Sequence, residues 1–143
     1  MSTTELLFSI ANTGILFAWL PLLIAPKWEL TQRMLAYPYI PFVLSFFYLF
    51  FLIRDGGLGE ADFSSLAGIL TLFQKATPEA AAAGWMHYLA FDYWVGCWMV
   101  RDAQKNATPH LLVVLPLLCT FMLGPVGILL YVVFTQTRKM LLR

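Results

Sequence analysis

From Leu6 to Ala25 the chain runs for twenty residues without an Asp, Glu, Lys or Arg, from Leu35 to Ile53 for nineteen, and from His110 to Thr135 for twenty-six. A bilayer's hydrocarbon core, about 30 Å thick, is crossed by about 20 apolar residues in a helix. Inside it every backbone N–H and C=O must be paired within the structure, which leaves helices or closed barrels. Runs of this length without period-two alternation select the helix. Only 12% of the 143 residues are charged, about half the roughly 25% of a soluble domain, so a globule of this composition lacks the groups to face water.

The spacing therefore predicts an all-α fold: an integral membrane four-helix bundle forming one domain over residues 1–143, with spans at about 6–25, 35–53, 80–100 and 110–135. Ala25-Pro26-Lys27 stops the first span, which reads as retained because Met1–Thr4 lacks the basic start of a signal peptide. A polar hinge, Trp28 to Arg33, leads to the second, with Pro38 and Pro41 in its first turns. Arg54-Asp55-Gly56-Gly57 ends it. Residues 62–75 read as a short interfacial amphipathic helix, capped by Asp62 or Ser64, with Leu66, Ile69, Leu70 and Phe73 at helical spacing. Thr77-Pro78-Glu79 has the form of a helix start, with Thr77 as N-cap. Four spans put both termini on one side, and Arg138, Lys139 and Arg143 close the chain. Loop charges favour a cytoplasmic placement by a narrow margin. A net charge of +1 offers no surface for nucleic acid. Cys97 and Cys119, set in apolar segments, read as small buried hydrophobes.

Chemistry concentrates on the third span. An ionisable side chain at the bilayer centre costs roughly 2.5–3.5 kcal/mol on insertion scales, so it faces protein or a wet cavity. Asp92 sits mid-span, with His87 five residues before it. At 100° per residue the two lie about 140° apart around the helix, too far for contact but placed to border one cavity. They are the candidate catalytic residues, and the alternative is a structural interhelical hydrogen bond. Asn12 or Thr13 of the first span is the expected partner of Asp92. Trp85, Trp94 and Asn12 are candidate ligand contacts, though the aromatics equally suit core packing. Arg101, Asp102 and His110 bracket one loop and are expected to pair as an interfacial clamp. Some 22 Å of helix separates His87 from Asp102, so one metal cannot bind both. No metal site and no cofactor is expected.

Several motifs in fixed order carry a resemblance: Ala25-Pro26-Lys27, Tyr39 to Leu49, Ser65-Leu66-x-Gly68-Ile69 with Leu72-Phe73, Trp85-x-His87-x-Leu89-x-x-Asp92, Asp102, and Gly124-Pro125-Val126-Gly127. Together they cover about residues 11 to 135. The chain resembles the abscisic-acid-deficient-four-like family, whose plant members are associated with forming the allenic carotenoid neoxanthin from violaxanthin. The resemblance implies a multi-pass protein of a bacterial inner or photosynthetic membrane, whose partners are the bilayer and a carotenoid or other lipid-soluble isoprenoid. It implies a redox-neutral epoxide isomerase using buried acid and base groups. The alternative is a non-catalytic pigment-binding or assembly subunit, in a homo-oligomer or a larger membrane complex.

Overall fold

A computed structural model describes residues 1–57, 59 and 61–142; among them are seven helices and no strand. Arg143 lies outside the described residues. The helices are α1 (Thr3–Ile24), α2 (Glu29–Ala36), α3 (Tyr39–Arg54), α4 (Leu66–Gln74), α5 (Pro78–Lys105), α6 (Leu111–Leu123) and α7 (Pro125–Leu141).

Local chemistry sets the boundaries. Ser2 and Glu5 form a reciprocal capping box at the head of α1. Thr77 caps α5, its hydroxyl accepting from the Ala80 N–H at 3.1 Å, with Pro78 in the first turn. The cap of α4 is Ser65, not Asp62 or Ser64: Asp62 instead accepts from the hydroxyls of Ser64 and Ser65. The second apolar run starts later than its hydropathy suggests. Pro38 holds Tyr37 in extended backbone (φ −139°, ψ 141°), so the helix restarts at Tyr39. The stretch read as a polar hinge is itself helical, as α2, and bends by 56° into α3.

α5 is the axis of the bundle. α1 runs parallel to it: the Thr4 hydroxyl donates to Glu79 at 2.7 Å near one end, and Gln104 donates to the Pro26 carbonyl at 3.0 Å near the other. α3 runs antiparallel, with Thr77 bonded to Asp55 at its finish and Arg101 donating to the Leu35 carbonyl before its start. Trp19 lies flat enough on α5 that a Cβ on Gly96 would meet its ring at 2.7 Å. Tyr93, Met86, Met99, Phe51 and Leu22 fill the space between.

Residues 110–135 are not the single span their hydropathy predicts. The chain reverses at Gly124 (φ +53°), a backbone region that glycine adopts without a Cβ penalty. α7 folds back along α6, so that a Cβ on Gly127 would collide with the Thr120 side chain and lie 2.5 Å from the Pro116 carbonyl. Arg138 accordingly returns to the Ala107 carbonyl, at the end where α6 began. The C-terminal end thus lies opposite the N-terminal end, and the expectation of both termini on one side fails for the same reason.

By length and composition α1 is able to cross a membrane, as is the bent pair α2–α3 if counted as one span. Only 28% of the most apolar stretch of α1 is buried. The core helix of a water-soluble bundle would be covered. Phe17, Phe46, Phe91, Trp94, Met122 and Leu129 all point outward on the other helices and on α1.

Two outcomes follow for the purified protein. Gly127→Ala places a methyl against α6 and should lower stability by about 1–3 kcal/mol. Gly84→Ala, whose Cβ meets nothing within 4 Å, should leave it equal or higher; thermal unfolding measures both. The serine hydrogen bonds pull the Asp62 carboxyl from 3.8 to about 2. A depressed folded value gives stability that is whole above the unfolded one and lost as protons bind. Hydrogen-exchange protection at α4, taken relative to the intrinsic rate at each pH, should therefore fall as pH drops from about 4 to 2, and Asp62→Asn should remove that dependence.

Candidate functional site

Asp92 stands near the middle of α5, half-buried, with its carboxyl against the turn of the α6–α7 hairpin. A Cβ at Gly124 would lie 3.1 Å from Asp92 Oδ1. Only a residue without a side chain brings the turn this close. Among the described residues the carboxyl has no hydrogen-bonding side chain beside it. Asn12, its expected partner, accepts instead from Trp85 Nε1 at 2.8 Å, and Thr13 is exposed.

His87 occupies another side of α5. Its ring stacks on Phe91 (4.7 Å between centroids, 28° between planes) and approaches Tyr48 of α3 at 6.0 Å. The 140° offset that forbids contact with Asp92 also turns the two toward different neighbours, α3 and the hairpin. Neither residue borders the two cavities that open beside α5. One, of about 350 Å³, opens between α1 and the start of α5 and is bordered by Phe8, Ala81 and Trp85. The other, about 30 Å³, brings Trp94 to Cys97, Arg101, Met34 and Pro38 at the α2–α3 bend. It has room for little more than a water. The two aromatic candidates therefore serve separate places, and only Trp85 meets Asn12.

The interfacial clamp also resolves differently. Arg101 donates to Leu35, and His110 Nε2 donates to the Leu23 carbonyl at 2.9 Å, since that oxygen only accepts. Asp102 accepts from the Tyr131 hydroxyl at 2.6 Å and from Asn106 at 3.0 Å. The three residues do share one end of the bundle, each bonded to a different element. Tyr131 is the partner that sequence reasoning missed, because the reversal at Gly124 alone brings α7 to Asp102. Tyr93 was missed as well: its hydroxyl is buried without a partner, its ring edge-on to Trp19 at 5.7 Å. Cys97 is buried and Cys119 half-buried, both as free thiols. Among the described residues no three His, Cys, Asp or Glu side chains converge as metal ligands would.

The model of the family described as ABA DEFICIENT 4-like matches residues 6–131, nearly nine-tenths of the chain. The chain belongs to the ABA DEFICIENT 4-like family. The match runs from the first turn of α1 through Asp92 and the hairpin turn to Tyr131 itself. Membership in the ABA DEFICIENT 4-like family links the chain to carotenoid-related function. No curated protein and no solved structure matches it.

Tyr131 is buried and its bond to Asp102 has a carboxylate acceptor, so Tyr131→Phe should cost about 1.5–3 kcal/mol. Thermal unfolding with Asp102→Asn as the second arm of a double-mutant cycle tests the coupling; additive losses would show that the two act independently.

Proposed function

We propose that the chain is a membrane-embedded, carotenoid- or isoprenoid-associated protein that isomerises an epoxide to an allenic alcohol, with Asp92 as the acid–base group. The observation that carries this reading is an ionisable side chain at mid-depth in an outwardly apolar bundle, in a family linked to carotenoid-related function. Contiguous apolar surface of this extent is what a lipid environment covers. α1, α2–α3 and α5 are the crossing elements, and α6–α7 enters and leaves through one face as a half-depth hairpin. α5, at 28 residues, is about 42 Å long, enough to span hydrocarbon and headgroups together. Leu66, Leu70 and Phe73 of α4, uncovered by any other helix, rest at the lipid surface.

The reaction requires one proton given and one taken. Asp92 in its acid form donates to the epoxide oxygen as the C–O bond breaks, and positive charge spreads along the polyene. The resulting carboxylate removes a proton from the adjacent vinylic carbon, and that electron pair forms the second of the two cumulated double bonds. Oxidation level and atom count are unchanged, and the carboxyl is regenerated. One group acting in turn replaces the acid–base pair, which suits the separation of His87 from Asp92. General acid–base assistance of this kind contributes typically 10²–10⁴-fold.

Purified protein incubated with an epoxidised carotenoid should yield the allenic alcohol. Asp92→Asn should fold normally and lose about a hundredfold or more in rate. Pigment that co-purifies in fixed ratio but returns unchanged would instead favour the binding-subunit reading. The topology has its own test. Single cysteines at Ser2 and Met140 should react with impermeant reagents from opposite sides of sealed vesicles, and labelling from one side would rule out the half-depth hairpin.

A further inference from the structure

The reversal at Gly124 also decides where the charge lies. Laid out as four straight spans, the sequence would divide its cations almost evenly between the two ends of a bundle. With α7 folded back, Arg138 and Lys139 join the end that holds the α1–α2 and α5–α6 connections. Six of the eight described Lys and Arg residues then share that end: Lys27, Arg33, Arg101, Lys105, Arg138 and Lys139. Among the described residues only Glu29 and Asp102 accompany them. At the opposite end Arg54 and Lys75 are outnumbered by Glu5, Asp55, Asp62 and Glu79. Asp92, at mid-depth, belongs to neither.

The cations of the first end converge and lack counter-ions. The bond from Gln104 to the Pro26 carbonyl sets the turn that carries Lys27 beside the end of α5 that carries Lys105. The bond from Arg138 to the Ala107 carbonyl brings the end of α7 to the same place. Arg101 and Arg138 each donate to a main-chain carbonyl, which leaves the guanidinium charge uncompensated. Asp102 is taken by Tyr131 and Asn106. Among the described residues the only ion pair is Arg33–Glu29, within α2, and Lys27, Lys105 and Lys139 are exposed. Short connections rich in Lys and Arg stay on the cytoplasmic side of a membrane, and the cations decide this rather than net charge. The anionic headgroups of that leaflet then supply the missing counter-ions, with a gain of roughly fivefold in association per cation near the surface. Trp28, exposed beside Lys27, is a residue type that favours the headgroup level. We propose that this end is a docking surface for anionic phospholipid headgroups of the cytoplasmic leaflet, with the N-terminus on the far side of the membrane. The proposal rests on the membrane-embedded reading and is independent of the carotenoid chemistry.

The protein is reconstituted in phosphatidylcholine vesicles that carry brominated phosphatidylglycerol or, in parallel, brominated phosphatidylcholine, and tryptophan quenching reports which lipid gathers around it. Phosphatidylglycerol should reach half-maximal quenching at a mole fraction roughly fivefold lower or less. Lys27→Gln combined with Lys105→Gln and Lys139→Gln, all at exposed positions, should remove most of that preference. Arg54→Gln combined with Lys75→Gln, at the other end, should leave it intact. Equal quenching by the two lipids, or a preference that survives the triple substitution, overturns the docking surface. Orientation is read in cells of a bacterial expression host, on a background of Cys97→Ala and Cys119→Ala. Ser2→Cys should react with an impermeant maleimide added outside, and Met140→Cys only once the membrane is opened. The reverse pattern overturns the proposal and leaves the membrane reading standing, and labelling of both from one side refutes the charge placement. Recovery of the protein in the soluble fraction ends the membrane reading and the proposal with it.

Discussion

The close approach of α7 to α6 at Gly127 and Thr120 decides where everything else in this bundle can lie. With a side chain at Gly127 the two helices would stand further apart, and α7 would lose its seat beside α5. Because they do meet, Tyr131 reaches Asp102 at 2.6 Å and Arg138 reaches Ala107. The Asp102 bond fixes how far α7 descends, and the turn at Gly124 fixes how far α6 rises. Asp92 stands at that limit. A glycine with no Cβ thus acts at two removes on the placement of an ionisable group.

Much of the scaffold was legible because its signals are local. Thr77-Pro78 announced the start of α5, and the apolar runs gave α1 and α3 to within a few residues. Pro38 marked a boundary, though hydropathy alone placed it inside a span. What the chain order hides is reversal. Gly124-Pro125 in an unbroken apolar run suits a kink, a straight passage or a hairpin equally well, since all three bury the same residues in an apolar medium and hydropathy does not distinguish direction. What distinguishes the hairpin is the fit of Gly127 against Thr120, a contact between residues that neighbour each other only after the turn has formed.

The candidate site divides along the same line. Angular arithmetic on α5 correctly kept His87 and Asp92 from touching, because it depends only on helix geometry. Which neighbour each side chain meets depends on elements far off in sequence, so the Asp92–Asn12 pair and the Arg101–Asp102–His110 clamp were beyond its reach. Trp85 and Asn12 illustrate the point from the other side: both were singled out as candidate ligand contacts, and they bond to one another across α1 and α5.

A reversal of backbone at this depth has to account for its own hydrogen bonds, and the residues at the turn are suited to that need. The Gly124 N–H donates to the Thr120 carbonyl at 2.9 Å and the Gly127 N–H to the Gly124 carbonyl at 3.0 Å. Pro125 has no N–H to leave unpaired. In a membrane, irregular backbone is tolerated only where protein buries it or a cavity borders it; here α5 packs against the turn, with Asp92 beside Gly124. Asp92 thereby stands beside the C-terminal end of α6 and the N-terminal end of α7. The position of Asp92 and the turn at Gly124 are therefore coupled, and displacing the turn by lengthening α6 would strand the carboxyl.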